Sequence, residues 1–267
     1  DHASEALDMP EHIEFDFAVV GGGPVGAVMA LGLADQGYQV ALIERQAAPK
    51  KVPLKMQAEG LHGVDARTVA LSVSSKELLD RYAAWPQQGI GAFAHMEVWE
   101  DRGTSVLRFG ASDVQQDALG HIAQVGPWLQ QLWEQLERSS VSCVVGLSLG
   151  DVQAEAQGYR LLLANPTAAS GEPEQTLFTR TLIAADGAQS AVRKALAVPM
   201  ALSDTGQSAL AFAAQVENDH EQTAFQRFLA DGPLALLPMA DSNLVSVVWS
   251  ARNDRADELS ALSVEQL

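Results

Sequence analysis

The chain is poor in reactive sulfur. Its one cysteine, Cys143, sits in the apolar run VSCVVGL of a 267-residue sequence. A single thiol excludes an intrachain disulfide, a Cys-x-x-Cys redox pair and a thiolate metal cage, and this setting reads as a buried strand position rather than a nucleophile. Positive charge is also scarce: 17 Lys and Arg stand against 34 Asp and Glu, a formal net charge of −17. A field of that sign repels phosphate backbones and anionic headgroups, which excludes nucleic acid as a partner and leaves at most a local, peripheral membrane contact. No apolar run approaches the roughly 20 residues of a membrane-spanning helix. The stretch DHASEALDMPEHIEFD is too acidic for a secretory signal, so the expectation is a soluble, non-secreted, cytoplasmic chain. The six histidines (His2, His12, His62, His95, His121, His220) show neither metal-ligand spacing nor a Ser/His/Asp arrangement. No metal is expected, and hydrolase chemistry is set aside.

What the chain does have is apolar residues, 47% of the total, enough for one or two domains with real cores. Residues 16–44 read as one βαβ unit: DFAVV as a strand, PVGAVMALGLADQ as a helix closed by Gly37, and QVALIE as a second strand. Residues 46–66, with Pro49, Pro53, Gly60 and Gly63, read as irregular, and Lys50, Lys51 and Lys55 as a solvated loop. SVSSKELLDRYAAW follows as a serine-capped helix. A hairpin is expected over 93–110 around Asp-Arg-Gly, then a helix over PWLQQLWEQLER, in which Trp128 and Trp133 read as core residues. VSCVVGL, VQAEA, YRLLLA and TLFTRTLIAADG read as strands, as do SALAFAAQVE, PLALLPM and LVSVVWSAR before a terminal acidic helix from Asp254. This order implies a dinucleotide-binding domain interleaved with a sheet-rich one.

The chemistry concentrates in GGGPVG. Gly21, Gly23 and Gly26 take the G-x-G-x-x-G spacing: one for the tight turn, one for backbone approach to a pyrophosphate, one for close helix–strand packing. The N-terminus of the helix that Pro24 opens offers N–H groups to phosphate. Glu44 ends the next strand, where its carboxylate can accept from both ribose hydroxyls and repel a 2′-phosphate, which leaves both NAD and FAD open. Arg45 beside it is either a partner for the adenine end or a surface arginine. In TLIAADGAQSAVRK, Asp186 can accept from sugar or ribityl hydroxyls while Gly187 turns the chain near a ligand, with Ser190 and Arg193 beyond; on its own this is only a turn.

VVGGGPVGAVMALGLADQGYQVALIER, DARTVALS, LIAADGAQSAVRK and GPLALLPM, in that order, resemble the FAD-dependent aromatic hydroxylases, the class A flavoprotein monooxygenases. HMEVWE and GHIAQ with the last of them point to the ubiquinone-biosynthesis branch. The resemblance implies an α/β fold of the para-hydroxybenzoate hydroxylase type: a Rossmann-like FAD-binding domain over 14–90 and 116–200, interleaved with a β-sheet-rich substrate domain over 91–115 and 201–267. It implies FAD on Gly21, Gly23, Gly26 and Glu44, with Arg67 near the pyrophosphate, Gln124 near the ribityl and pyrophosphate region, and Asp186-Gly187 serving both FAD and the nicotinamide donor. A planar guanidinium suits Arg67 to phosphate, the other reading being an ion pair with Asp65; Gln124 has a plain helix-start role as its alternative. Leu234, Leu236 and Pro238 are substrate-pocket candidates, on a strand equally compatible with ordinary core.

The implied activity is hydroxylation of a polyprenylated phenol through a flavin C4a-hydroperoxide, with O2 as co-substrate and NAD(P)H or another reductant as transient donor. The cofactor carries that chemistry, so no catalytic acid or base is assigned. A hydroxylase of small soluble aromatics and a catalytically silent FAD-binding or assembly fragment are the alternatives. A ubiquinone-biosynthesis complex or a homo-oligomer, at the face of the inner membrane, is the implied setting. The family's second FAD motif, Gly-Asp followed by small residues, is absent from the sequence, and the expectation is a C-terminally truncated form.

Overall fold

The computed structural model describes residues 14–49, 64–166, 174–263 and 266. The lysines at 50, 51 and 55, His2, His12, His62 and the turn residues Pro53, Gly60, Gly63 and Pro173 lie outside them. In chain order the elements are β1 (Glu14–Val20), α1 (Pro24–Asp35), β2 (Val40–Glu44), β3 (Thr68–Leu71), α2 (Val73–Arg81), β4 (Ile90–Phe93) and β5 (His95–Glu100). Next come β6 (Val106–Gly110), β7 (Gly120–Gln124), α3 (Val125–Arg138), β8 (Ser142–Val145), β9 (Ser148–Glu155), β10 (Gly158–Ala164) and β11 (Gln175–Ala184). The last are α4 (Ala191–Ala195), β12 (Gln207–Gln215), β13 (Thr223–Leu229), β14 (Gly232–Pro238), β15 (Leu244–Arg252) and α5 (Asn253–Ser260).

Contacts divide the chain into two units, with breaks after Pro49, Gln131 and Met200. The sequence boundaries fell at 90, 115 and 200. The difference arises because β3, β4 and β7 form a sheet of their own inside the second unit, through antiparallel pairing of residues 68–71 and 90–93 with 120–124.

The first unit holds a six-stranded sheet in the order β8-β2-β1-β11-β10-β9. β1 lies between β2 and β11 and runs parallel to both, and consecutive residues Ala18 to Val20 and Val40 to Ile43 are all buried, so both faces are covered here and FAVV and VALI carry no alternating polar residue. Phe15, Ala18, Val20, Ala41, Ile43, Leu161, Leu163 and Leu177 belong to one buried cluster. α1 packs on β1 and β2, with Pro24 at its first position, where a missing N–H costs nothing. β8 is an edge strand, and Cys143 on it is half-buried, not fully buried as expected; burial and then the charge of Glu137 push its thiol pKa up.

In the second unit the larger sheet runs β12-β15-β14-β13-β5-β6. β5 and β6 form the expected hairpin, while β13 is an unanticipated strand that slots in parallel beside β5 and antiparallel to β14. α2 starts at its expected serine, Ser72 Oγ accepting from Ser75 N at 3.1 Å. α5 covers one face of β15 with Ala256 and Leu259 against Ala251, Leu210 and Trp249, and it ends at Ser260, short of the expected terminus.

Candidate cofactor site

Segments far apart in the sequence meet at the end of β1: the glycine turn, the ends of β2 and β11, and Trp133. Gly21 adopts φ +109°, a left-handed conformation that favours glycine, and its N–H donates to Ile43 O at 2.8 Å. A Cβ at Gly21 would lie 2.3 Å from Ala185 O, and one at Gly26 would lie 1.9 Å from Gly21 O. These two glycines therefore exist for close packing of turn, helix and the end of β11. Gly23 differs: nothing lies within 4 Å of its Cβ direction, so the turn opens there. It is the N-cap of α1 and carries no side-chain cap, which leaves the first-turn N–H groups facing outward as anion donors.

Glu44, half-buried, closes the same turn from β2. Its Oε2 accepts from Gly22 N at 2.7 Å and its Oε1 from Gln46 N at 2.8 Å. A carboxylate has about four acceptor positions, so each oxygen retains one for a hydroxyl. Arg45 beside it is exposed. Gly22, the unassigned second glycine, is enclosed: a Cβ there would meet Trp133 Cζ2 at 2.5 Å and Glu44 Cβ at 3.0 Å. Trp133 Nε1 donates to Gly22 O at 3.0 Å. Trp133 is buried, as a core residue should be, but its polar edge is spent on the glycine turn.

Asp186 follows β11, joined to the turn through Ala185, whose N–H donates to Val20 O at 2.8 Å. Its Oδ2 caps α4, accepting from Ala191 N at 2.6 Å and Val192 N at 3.2 Å. Its Oδ1 is buried and has no partner among the described residues. A carboxylate oxygen in that state is an acceptor awaiting a donor. Gly187, at φ +82°, leaves open space beside it, and Ser190 and Arg193 belong to the α4 cap, Ser190 Oγ accepting from Arg193 N at 3.0 Å.

In the second unit, Arg67 and Gln124 are gathered around a residue that sequence reasoning used only as a counter-ion. Asp65 Oδ1 accepts from Arg67 N at 2.9 Å and Arg67 Nε at 3.1 Å, and Oδ2 from Arg67 Nη2 at 3.1 Å and Gly126 N at 2.8 Å. Buried Gln124, at the end of β7, accepts Asp65 N on its Oε1 at 3.0 Å. The ion pair weighed for Arg67 is thus present, and it splays a largely exposed guanidinium outward from a fixed carboxylate. Burial alone would push the Asp65 carboxyl up; the hydrogen bonds from Arg67 and Gly126 and the charge of Arg67 outweigh it and hold the pKa below its ordinary value. The spacing Asp-x-Arg was the available signal for Asp65.

Leu234, Leu236 and Pro238 alternate along β14 and so share one face, in register with Trp249, Val247 and Val245. Pro238 is buried and the leucines half-buried. A cavity of about 580 Å³ opens just past this strand, among Gly91, Ala92, His220, Gln222 and Met239, and none of the three lines it. His220 is a fixed part of its wall: Nδ1 accepts from Gln222 N at 3.1 Å, which leaves Nε2–H to donate to Asp241 O at 2.9 Å.

Against known proteins, residues 14–266 match a family described as an FAD binding domain. The chain is 31% identical over 256 residues to the 3-demethoxyubiquinol 3-hydroxylase of Escherichia coli, covering 94% of this chain and 61% of that protein. It is 31% identical over 268 residues to the mitochondrial ubiquinone biosynthesis monooxygenase COQ6 of Homo sapiens, covering 94% of this chain and 54% of that one. It therefore spans between half and two thirds of the length of these relatives. Among solved structures, a probable FAD-dependent monooxygenase of Pseudomonas aeruginosa superposes with a TM-score of 0.70 at 18% identity, over 93% of this chain and 63% of that one, and so shares the fold.

Proposed function

The chain belongs to the family of FAD binding domains, and from that premise we propose that it is the FAD-holding and substrate-covering part of a monooxygenase that hydroxylates a polyprenylated phenol in ubiquinone biosynthesis. The observation that carries the cofactor half is the buried, unpartnered Asp186 Oδ1 beside a glycine turn that is packed shut at Gly21 and Gly26 and open at Gly23. The residues present suit the group: backbone N–H groups for a pyrophosphate, and two carboxylates with spare acceptor positions for sugar or ribityl hydroxyls. The names of the two relatives support the substrate class.

FAD, when bound, supplies the redox and oxygen chemistry. The chain's own residues do the rest. Gly23 N–H and the first turn of α1 meet the phosphates, with Pro24 fixing where that turn starts. Glu44 takes the ribose hydroxyls and its charge rejects a 2′-phosphate. Asp186 Oδ1 would accept a hydrogen bond from a hydroxyl, and Gly187 lets backbone come close. Arg67 and Gln124 are carried as cofactor contacts by the family resemblance, and Arg45 as a neighbour of the adenine end. Leu234, Leu236 and Pro238 offer apolar surface to a greasy ring and keep water away from it.

O2 is the co-substrate of this reading, NAD(P)H or another reductant its transient donor, and the cytoplasm or the face of the inner membrane its setting; among the described residues no helix is long and apolar enough to cross a membrane. The test is reconstitution. The purified chain is mixed with FAD, freed of unbound cofactor and examined for a flavin spectrum, and the complete protein is assayed on prenylphenols and on small aromatic acids. Bound flavin with turnover of the prenylphenol is expected. A chain that takes up no flavin overturns the cofactor reading, and turnover of small acids alone overturns the substrate.

A further inference from the structure

We infer that Trp133 is a positioning residue for cofactor phosphate, acting through the orientation of one peptide unit. The inference rests on the FAD-site reading above and deepens it. The peptide between Gly22 and Gly23 is trans, so its carbonyl and its N–H point in opposite directions. Trp133 Nε1 holds the carbonyl, Gly22 O, at 3.0 Å on the buried side. The N–H of Gly23 is thereby turned the other way, at the one glycine of the turn whose Cβ direction is open. A glycine pair resists peptide rotation weakly, and the flipped unit would present a carbonyl oxygen to the phosphates, where it repels them. The indole prevents that flip in two ways. Its N–H is a donor with no acceptor capacity, so it fits only the carbonyl-inward state. Its ring edge, 2.5 Å from the Cβ direction of Gly22, also fills the space into which the turn would relax.

The adjoining peptide is fixed separately, Gly22 N donating to Glu44 Oε2 at 2.7 Å. Ribose and phosphate recognition are therefore set by two different peptides, of which Trp133 holds the second. Its neighbours Leu132 and Leu136 are fully buried, which fixes the helix that carries the indole.

Trp133→Phe keeps the aromatic bulk and removes only the N–H. The probes are ADP, which carries the pyrophosphate, and adenosine, which does not; thermal unfolding of each variant controls for the fold. Trp133→Phe is expected to weaken ADP about five- to tenfold, the worth of one hydrogen bond, and to leave adenosine unchanged. An unchanged ADP affinity, or equal losses on both probes, overturns the role of Trp133 while the cofactor reading stands. A wild-type chain that binds neither FAD nor ADP overturns both. An NMR measurement on the unmodified chain decides the matter even if the variant does not fold. On addition of ADP the Gly23 amide proton is expected to move downfield while the Trp133 indole proton stays protected from exchange; a Gly23 amide that does not respond overturns the inference.

Discussion

Gly22 N donates to Glu44 Oε2 at 2.7 Å, tying the end of the second strand to the glycine turn after the first. The carboxylate so held also accepts Gln46 N on its other oxygen, so its orientation is set before any ligand arrives. Glu44→Gln replaces one acceptor oxygen with a donor and must give up one of these bonds. About tenfold weaker binding of FAD and ADP is expected, together with a smaller preference for ADP over 2′,5′-ADP because the repelling charge is gone. Calorimetry on the three ligands reads both effects; an unaltered preference would remove Glu44 from ribose recognition.

Gly23 and Gly26 should separate binding from stability. A Cβ at Gly26 meets Gly21 O at 1.9 Å, a backbone atom that cannot swing away, with Ala185 Cβ at 3.2 Å, so Gly26→Ala is expected to cost about 2 kcal/mol or more in urea unfolding. At Gly23 the backbone is extended (φ −69°, ψ 178°) and the Cβ direction is open. Gly23→Ala should therefore leave stability within about 0.5 kcal/mol, while the added methyl obstructs approach of a phosphate and weakens FAD roughly tenfold or more. Comparable stability losses at both positions would show that the open space is not a ligand's.

The contrast explains how much of this molecule was legible beforehand. The β1–α1–β2 unit was, because its signals are local: an apolar run, Gly21 to Gly26, a helix opened by Pro24, and Glu44 at the next strand end. Trp133 was visible only as an apolar residue on a helix, since its partner lies 111 positions away and no spacing rule reaches that far. β13 was missed because TAFQRFL carries Gln226 and Arg227 and gains its strand character from pairing with β14 and with β5 over a hundred residues earlier. The sheet β3-β7-β4 was missed for the same reason, each strand being four or five residues long. Asp65 was weighed as a counter-ion for Arg67, but its bond to Gly126 makes it a cap for α3 from outside the helix.

Asp65 accordingly predicts an acid-sensitive cap. Its carboxyl is held below the ordinary 3.8 because the bonds from Arg67 and Gly126 outweigh the burial that pushes it up. A depressed carboxyl contributes stability in full above its unfolded value and loses it as pH falls through the folded one. Wild type should therefore lose stability at pH values below 3.8 that Asp65→Asn, already without the charge, does not lose. At neutral pH Asp65→Asn is expected to cost about 1 kcal/mol, the usual worth of a helix cap, since the exposed Arg67 end of the pair is screened. Urea midpoints across that pH range test this; parallel curves for the two proteins would contradict it.

His121, a base rather than an acid, should also lose stability as pH falls, over a higher interval than Asp65. It lies on β7 with its ring edge-on to Trp85 at 4.9 Å, and its Nδ1 is buried with no partner among the described residues. Burial and then the charge of Lys76 hold its pKa below 6.5, with Asp80 opposing from the same helix as Lys76. The fold therefore favours the neutral imidazole. The unfolded chain takes up a proton near 6.5 and the folded one only at lower pH, so this contribution is complete above 6.5 and declines as pH falls from there to the depressed value. A titration of the His121 ring proton by NMR should place its midpoint below 6.5, and wild type should lose stability over that interval relative to His121→Gln. Lys76→Met removes the like charge and should raise the midpoint back toward 6.5, narrowing the interval, even though it also deprives Asp80 of its ion pair and Trp85 of the ammonium over its ring. A His121 that titrates at or above 6.5 in the folded protein would mean that the orphaned Nδ1 finds a donor or acceptor in solution, and the decline should then vanish.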